Sequence, residues 1–568
     1  MKRIIAILTL LILCPALGWG ALYCVKPDGT CTAANKANAV VAGEGNCTAQ
    51  GTAGNALSMA TANLLTGANA VAAGDTVLYS ARNLAGADAS YTGTMTPLSA
   101  GSVGLNVTYL GISDGTTQVK PLIDVSGSAA NLIGIGITGM DYIRISNFQI
   151  KGSGGAAAMY VYGSSGTAGA GLTVLVDNVD VLSNYGSSTG NNDCFAHGGG
   201  SGETAQAAYT SITATGCRPN PQASGGHQAF TLHEDAKATI TTATFSGSNY
   251  GITNTLNTQL TASGLTISNM MYENVGFGSN ATPTGFITIS GSTITVANGS
   301  GLVGIGNGAT GGTITIGTST INFGVGGADF VYGGTVNLSN NTIVWADTGE
   351  AGYISTKSGG TINFGPNNTV VFTSGRVGNI VGDTGTLNVY RNTFYGGTVQ
   401  VLSGTNNVWS NTFKDLGNDA GWTLGGLVSW YNNTHYNSTK AGTGLYCQTG
   451  SGFISRNNIF YNVTYPCNGN NCNTTGYDSD YNIYYNSTAV TNPGTRSLTS
   501  NPLFVAPGTD FSLQLHSPAV GAGTNLGATY ATDFDGVLQG CHGWDIGSRV
   551  ARLPNGETCW GRSTAVMK

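Results

Sequence analysis

The sequence predicts an all-β protein whose body is a single-stranded right-handed parallel β-helix, with a short N-terminal capping helix and an irregular C-terminal cap. Two observations lead to this prediction: a glycine-led strand motif recurs every 22 to 27 residues, and the composition favours short strands and tight turns. Glycine accounts for 88 of the 568 residues, and charged residues make up only 8%. An average globular chain carries about 25% charged residues.

The first observation is a glycine followed by a short alternating strand. The motif is Gly-Phe-Ile-Thr-Ile at residues 285–289 and Gly-Thr-Ile-Thr-Ile at residues 312–316, and it recurs three more times. Successive copies are separated by 27, 22, 26 and 25 residues. Coils stacked at this period would pair their backbones about 4.8 Å apart and share one apolar core. The central apolar residues are Ile287, Ile314, Val336, Ile362 and Leu387.

A second strand follows each first strand after 7 or 8 residues, centred on Ile294, Ile321, Ile343, Val370 and Phe394. Asparagine recurs just before this register, at Asn341, Asn368, Asn392, Asn411 and Asn458. Because asparagine tolerates the left-handed backbone region, we expect it at a bend, with the amides of successive coils stacked as a ladder. The alternative, an antiparallel sandwich, would instead show hairpins every 8 to 12 residues.

The start of the chain has the pattern of a secreted protein. Residues 1–20 combine a basic start, an apolar run and small residues, which is typical of a cleaved signal peptide. We therefore expect a secreted or cell-surface protein. Residues 21–125 are predicted to form the N-terminal cap and the first coils. Within them, a short amphipathic helix from Asn55 to Leu65 would bury Leu57, Ala60 and Leu64.

The β-helix itself is predicted over residues 126–500 and the C-terminal cap over 501–568, where the repeat is lost. Export favours disulfide formation, and the cysteines downstream of Cys14 form two local pairs, Cys194 with Cys217 and Cys541 with Cys559. The other six form two trios that are too far apart to be bridged, so we expect one unpaired cysteine in each. These trios are Cys24, Cys31 and Cys47, and Cys447, Cys467 and Cys472.

Segments at both ends of the chain resemble the pectate-lyase-like superfamily of secreted right-handed β-helix proteins. The resemblance lies in the opening Tyr-Cys-Val-Lys-Pro-Asp-Gly at residues 23–29 and in Ala-Gly-Asp-Thr-Val at 73–77. It also lies in the closing segments Asn-Pro-Leu-Phe at 501–504 and Thr-Asp-Phe-Asp-Gly at 532–536. The resemblance implies a β-helix fold but no single activity, because this fold carries lyases, hydrolases, epimerases, tailspikes and adhesins.

Three of the six histidines, His197, His227 and His233, fall within one stretch of a chain that is poor in charge. If residues 193–197 and 227–235 stack as neighbouring coils, His197 would lie beside His233, and the phenylalanine of each segment would stack on that of the other. With Phe230 and Leu232 pointing inward, alternation places His227 and His233 together on the exposed face.

This cluster is the candidate active site. Its candidate catalytic residues are His197, His227, His233, Asp193 and Glu234. Such a set could abstract the proton next to a uronate carboxylate while a cation neutralises that carboxylate. The expected cation is Ca²⁺, with Asp193, Glu234 and Asp235 as candidate ligands. Two alternatives stay open. The histidines and carboxylates could hold a transition metal, although their spacing matches no known zinc pattern, or the cluster is a hydrogen-bonded polar surface beside the Cys194–Cys217 pair.

Composition excludes some partners. A net charge of −6 without a basic run argues against nucleic acid binding, and no apolar stretch after the signal is long enough to span a membrane. We expect a monomer whose partner is a polysaccharide or cell-surface glycan. Two functions stay open: a carbohydrate-binding or carbohydrate-processing protein, most concretely an enzyme similar to polysaccharide lyases, and a non-catalytic surface or matrix protein similar to adhesins.

Overall fold

In the computed structural model, the chain forms two compact units, residues 1–252 with 258–260, and residues 253–257 with 261–568. The sequence-predicted boundaries at residues 125 and 500 fall inside these units. The structure describes residues 20–127, 132–152, 157–163, 173–184, 193–198, 206–217, 227–278, 281–282, 284–306, 309, 311–324, 327–345, 352–357, 359–372, 379–396, 398–415, 419–448, 450–469, 477–539 and 543–551. The predicted signal peptide lies outside these residues, apart from Gly20.

The first unit is a stack of parallel coils that begins with short helices. Apart from the antiparallel pair β1–β2, its paired strands run parallel. Its helices are α1 (Glu44–Thr48) and α2 (Met59–Ala62), with 3₁₀ turns at Ala33–Ala39, Ala53–Asn55 and Gly67–Asn69. Its strands are β1 (Leu22–Val25), β2 (Val40–Val41), β3 (Thr76–Ser80), β4 (Val107–Ile112), β5 (Leu122–Asp124), β6 (Ile135–Thr138), β7 (Ile143–Gly152), β8 (Ala157–Tyr162), β9 (Thr173–Asn184), β10 (Asp193–Gly198), β11 (Gln206–Ala214), β12 (Gln228–His233) and β13 (Lys237–Ser246).

The predicted capping helix is present but shorter, and it presents a different face. Helix α2 spans only four residues, capped by the Ser58 hydroxyl, which accepts a 3.1 Å hydrogen bond from the Thr61 N–H. It buries Met59 and Ala62, whereas Leu64 is 61% exposed. The prediction that Leu64 and Ala60 face the core is therefore wrong, because the helix ends before Leu64 can join its apolar stripe.

The second unit repeats one coil in close register, as a parallel β-helix. Strands β14 (Tyr250–Asn254) and β15 (Gln259–Ser268) contain the residues at which the chain passes between the units. The following strands are β16 (Glu273–Phe277), β17 (Phe286–Ser290), β18 (Thr293–Val296), β19 (Gly301–Ile305), β20 (Thr313–Gly317), β21 (Thr320–Phe323), β22 (Gly327–Val331), β23 (Thr335–Ser339), β24 (Thr342–Trp345), β25 (Gly352–Thr356), β26 (Thr361–Phe364), β27 (Thr369–Phe372), β28 (Asn379–Gly382), β29 (Thr386–Tyr390), β30 (Thr393–Tyr395), β31 (Thr398–Val401), β32 (Thr405–Trp409), β33 (Thr412–Lys414), β34 (Gly421–Thr423), β35 (Leu427–Tyr431), β36 (Thr434–Cys447), β37 (Gly452–Arg456), β38 (Ile459–Asn468), β39 (Tyr477–Asp480), β40 (Ile483–Tyr485), β41 (Phe504–Ala506) and β42 (Asp510–Leu513).

Both predicted strand registers are confirmed. In the first register Ile287 pairs with Ile314, and the pairing continues through Val336 and Ile362 to Leu387. In the second register Ile294 pairs with Ile321, and the series continues to Phe394 in the same way. All of these side chains are buried. The spacing of apolar residues therefore fixes which residues meet between coils.

The asparagine ladder is also present, but the bend lies one residue earlier than predicted. The backbone N–H of Asn341 donates to the side-chain oxygen of Asn368, at 3.0 Å, and Asn368 donates in the same way to Asn392. The positive φ angles belong to the preceding residues, such as Asn340 at 56° and Asn367 at 63°. The side-chain amides of the ladder asparagines therefore accept hydrogen bonds from the backbone at the bend. The left-handed conformation that makes the bend belongs to the residue before each ladder asparagine.

The C-terminal segment runs back along this corner of the second unit. Four residues with positive φ hydrogen-bond through their side chains to its backbone carbonyls, at Thr524, Tyr530, Thr532 and Phe534. The C-terminal segment runs in the opposite direction to the stack, because the corner residue of the earliest coil contacts the carbonyl that comes last in the sequence. The segment includes the 3₁₀ turn Ala528–Tyr530 and the antiparallel pair β41–β42. The four corner residues are Asn457, Asn432, Ser410 and Arg391.

The predicted local pair Cys194–Cys217 is confirmed, and the first trio leaves one cysteine unpaired, as predicted. Cys194 is bonded to Cys217, and Cys24 to Cys47, which leaves Cys31 as a buried thiol. In the second trio Cys467 is disulfide-bonded, and the sulfur of Cys447 lies 3.7 Å from that of Cys467. Cys472, Cys541 and Cys559 lie outside the described residues.

Candidate functional site

Strands β10 and β12 lie side by side in the first unit, as the sequence predicts. Phe195 pairs with Phe230, with the ring centroids 6.4 Å apart, and both rings are fully buried. The stacking of the two histidine-bearing segments is therefore confirmed.

His197 is a core residue. It is level with Leu232 of β12, and its side chain is completely buried. Its Nε2 donates a 3.1 Å hydrogen bond to the carbonyl oxygen of Lys237, and its ring packs edge-on against Tyr209. The prediction that His197 adjoins His233 in one groove is wrong, because a difference of one residue in register places their side chains on opposite faces of the sheet.

His227 is also fully buried, just before β12 begins. Its carbonyl oxygen accepts hydrogen bonds from the N–H groups of Asn249 and Tyr250, both at 3.0 Å. Burial lowers the pKa of His227. The prediction of an exposed face shared with His233 is wrong for His227, because alternation tells which side a residue points to but not whether that side is covered.

His233, at the end of β12, is open to solvent, with 39% of its side chain exposed. Its Nε2 lies 3.8 Å from Oδ2 of Asp193, which is the first residue of β10 and whose side chain is only 3% exposed. The other carboxylate oxygen of Asp193 accepts a 3.4 Å hydrogen bond from the Gln228 N–H. A buried carboxylate therefore holds an imidazole at the edge of the solvent.

Burial raises the pKa of Asp193, while the contact with His233 and hydrogen bonds from Thr231 and the Gln228 N–H lower it in part. At 3.8 Å the contact between the Asp193 carboxylate and the His233 imidazole is a close polar approach and not a direct hydrogen bond. The arrangement can serve proton transfer at the exposed side of His233.

Two tyrosines of β8 lie on the same face. The ring centroids of Tyr160 and Tyr162 are 5.5 Å apart with 14° between their planes, and both residues are half-buried. Gly198 lies between Tyr162 and His233: a Cβ there would come within 3.1 Å of Tyr162 Cδ2 and 3.6 Å of His233 Cβ. The absence of a side chain at Gly198 therefore lets the Tyr162 ring lie close against the strand backbone, next to His233.

The remaining acidic candidates follow β12. Glu234 adopts a positive φ of 54° and is half-buried, with Oε2 buried. Burial, then Tyr162, then the charge of Glu234 raise the pKa of Tyr160 to about 12, so its hydroxyl stays protonated. Asp235 is half-buried in the same turn.

The geometry does not reproduce the predicted calcium ligands as a set, since Asp193 is paired with His233. Over the part of the chain that the structure describes, no group of three or more His, Cys, Asp or Glu side chains is placed to hold a metal ion. The expected Ca²⁺ stays a prediction.

The sequence reasoning missed Tyr160 and Tyr162. They belong to the alternating segment Met-Tyr-Val-Tyr at residues 159–162, in which Met159 and Val161 are buried. The signal was available, because Tyr160 is level with Ala196 and Tyr162 with Gly198. Aligning this segment on residues 193–198 would have placed both rings beside the histidine cluster.

The fold and this site together define a parallel β-helix protein with an aromatic and histidine-containing outer face. Neither the known family models nor the curated proteins give a match to this sequence. Within the described residues, no helix is long and apolar enough to cross a membrane.

Proposed function

We propose that the protein is a secreted carbohydrate-binding protein that holds an acidic polysaccharide on the outer face formed by Tyr160, Tyr162, Gly198 and His233, and that His233 serves as a general base toward the bound chain. The observation that carries the proposal is the pair of stacked tyrosine rings that lie, across Gly198, beside an imidazole in contact with a buried carboxylate. The resemblance of both chain ends to pectate-lyase-like proteins supports the same assignment.

The tyrosines supply the binding surface. Aromatic rings present a flat apolar face together with a polar tip, which suits the apolar face and hydroxyl groups of a sugar ring. Because Gly198 has no side chain, the Tyr162 ring lies close to His233, so a sugar stacked on this ring would lie beside the imidazole. Neighbouring strands lie about 4.8 Å apart, so side chains on adjacent strands are separated by about the length of one sugar unit.

The histidine supplies the chemistry. In a β-elimination, the base removes the proton on the carbon next to the uronate carboxyl group and the double bond forms. The glycosidic oxygen on the following carbon leaves with the bonding electrons and takes a proton from solvent water to become a hydroxyl group. His233 Nε2 faces Asp193, so the carboxylate would stabilise the imidazolium after proton abstraction. An acidic polysaccharide is therefore the favoured substrate class.

The structural alternative is supported by the asparagine ladders of the second unit, which account for length and stability without any active site. The ladders do not account for a solvent-exposed imidazole backed by a buried carboxylate. The choice between the two functions depends on whether the outer face of the first unit binds a glycan.

The test uses the full-length protein with uronic acid homopolymers and neutral glucans. Binding is measured by calorimetry, and elimination by the absorbance of the unsaturated product near about 235 nm. Tyr162→Ala should weaken binding at least about tenfold, equivalent to about 1.4 kcal/mol. His233→Ala should retain binding and lose turnover.

The matched control is Tyr465→Ala, which removes a tyrosine of the second unit that is 45% exposed. It should bind and turn over as the wild type does. Equal binding by the wild type and Tyr162→Ala would refute the glycan face. Binding without product in the wild type would leave a binding protein and refute the role of His233 as a base.

A further inference from the structure

A column of threonines runs along the second strand register of the second unit, outside the set of residues that the proposed function uses. Thr293 of β18 is level with Thr320 of β21, and the same pairing continues from coil to coil. The residue that follows each threonine is buried in the core, so the threonine side chains lie on the outer face. The members of this threonine column are Thr293, Thr320, Thr342, Thr369, Thr393, Thr412 and Thr434.

The last two members of the column bind polar groups of the C-terminal segment of the same chain. The Ser548 N–H and the Ser548 hydroxyl each donate a 2.9 Å hydrogen bond to Oγ1 of Thr434. The same Ser548 hydroxyl lies 3.1 Å from Oγ1 of Thr412, and both threonines are buried. Where the threonine column is covered, its hydroxyls therefore form hydrogen bonds with a hydroxyl group of the segment that covers it.

The rest of the threonine column is open to solvent. Thr293, Thr320 and Thr342 are exposed, and Thr369 and Thr393 are half-buried. A β-branched side chain has few rotamers, so each hydroxyl is held in a nearly fixed position relative to its strand. Because neighbouring strands lie about 4.8 Å apart, the hydroxyls repeat at about the length of one sugar unit. An extended polysaccharide chain that lies across these strands would therefore meet one threonine hydroxyl at each sugar.

An exposed aromatic ring lies at the boundary between the open and the covered parts of the column. Tyr395 follows Thr393 by two residues in β30, which places both side chains on the outer face. Tyr395 is 39% exposed, and Nζ of Lys414 lies 5.3 Å from the centroid of its ring. An aromatic ring suits the apolar face of a sugar. Tyr395 could therefore stack on one sugar of a chain whose other sugars lie along the threonines.

The surface beside the open column carries no charge. The outward positions two residues after Thr293 and its partners are occupied by Thr295, Asn322, Val344 and Val371. An acidic polymer would require cationic side chains here, because charge complementarity selects the partner of a surface. A neutral polymer rich in hydroxyl groups requires only hydrogen-bonding groups, and these the threonines supply.

We propose that the open part of the threonine column, together with Tyr395, binds a neutral, extended polysaccharide. This site would be additional to the face that we propose for acidic polysaccharides, and it does not depend on that proposal. The contact of Ser548 with Thr412 and Thr434 carries the inference, because it is a hydroxyl group bound on the same column. The threonine hydroxyls supply the hydrogen bonds, and Tyr395 supplies the stacking surface.

The experiment measures binding of the full-length protein to cellohexaose, xylohexaose and mannohexaose by calorimetry. At least one of these neutral oligosaccharides should bind to the wild type. Tyr395→Ala should weaken this binding at least about tenfold, and so should the combined variant Thr293→Val, Thr320→Val and Thr342→Val. Valine keeps the branched shape and the strand preference of threonine, so the combined variant should fold and should lose only the hydroxyl groups.

The matched control is the combined variant Thr361→Val, Thr386→Val and Thr405→Val, which removes three hydroxyls from the first strand register of the same unit. It should bind the neutral oligosaccharide as the wild type does. Tyr162→Ala should also keep this binding, which separates the threonine column from the acidic polysaccharide face.

Three results would overturn the proposal. The first is a wild-type protein that binds none of the three oligosaccharides. The second is an affinity that is unchanged in both threonine-column variants or is lowered equally in the matched control. The third is a loss of neutral binding in Tyr162→Ala, which would assign that binding to the first unit.

Discussion

The backbone N–H of Asn368 donates a 3.1 Å hydrogen bond to the side-chain oxygen of Asn392, which lies in the next coil. The Nδ2 of Asn392 in turn donates to the carbonyl oxygen of Phe364 at 2.8 Å. One buried side chain thus satisfies two backbone groups that belong to two different parts of the preceding coil. The same pattern continues with Asn411 and Asn433.

Removing one member of this ladder should be costly. Asn392→Ala leaves the Asn368 N–H and the Phe364 carbonyl without partners, at about 1–3 kcal/mol for each buried group. The free energy of unfolding, measured with urea, should fall accordingly. Asn388→Ala is the control, since Asn388 is half-exposed and its Nδ2 donates to another side chain, Asn363. Its cost should stay below about 1 kcal/mol; equal losses in the two variants would contradict the ladder's role.

The C-terminal segment should loosen when a corner side chain is removed. Asn457 donates to the Thr524 carbonyl and accepts from the Thr524 N–H, both at 2.8 Å. Asn457→Gly keeps the positive φ of 58° but removes both contacts, so hydrogen exchange at Thr524 should accelerate. Asn340→Gly changes a comparable bend whose side chain contacts Asn367 instead. It should leave exchange at Thr524 unchanged, and acceleration by both variants would count against a specific anchor.

His435 should make the second unit sensitive to acid. It is fully buried, its Nε2 accepts a 2.9 Å hydrogen bond from Trp430 Nε1, and its ring stacks on Phe460. Burial lowers its pKa to about 3. Between about pH 6.5 and 3 the unfolded chain therefore binds this proton more strongly than the folded one, so stability is present above about pH 6.5 and is lost as the pH falls.

The measurement is the free energy of unfolding of the wild type and His435→Gln at several pH values. As the pH falls below 6.5, the free energy of unfolding of the wild type should decrease relative to that of the variant by up to about 1.4 kcal/mol for each pH unit. A difference that does not depend on pH would show that His435 does not titrate on unfolding.

The fold was predictable because one-dimensional spacing determines which residues meet in a stacked coil. Ile287 and Ile314 are 27 residues apart and pair directly. The bend was misplaced because asparagine often occurs twice in a row, as in Asn340-Asn341, and spacing alone does not tell which of the two takes the left-handed conformation.

The site was less predictable for two physical reasons. Alternation correctly placed Phe230 inward but could not show that the outer side of β12 is covered at His227. The register between β10 and β12 was off by one for His197, which reverses the direction of a side chain. Tyr162 was missed because its strand precedes the stretch in which the glycine-led repeat is recognisable.

The most direct test of the glycan face is to place a side chain at Gly198, which would displace the Tyr162 ring from its position beside the imidazole. Gly198→Val should lower affinity for a uronic acid polymer at least about tenfold, or about 1.4 kcal/mol, because its side chain would meet Tyr162 and His233. The control is Gly45→Val, because a side chain at Gly45 would lie in open space. Gly450 of the second unit also has open space around it, but its φ of 85° would strain a valine, so it is not used. Calorimetry should show weakened binding for Gly198→Val alone; unchanged affinity in a folded Gly198→Val protein would contradict the account.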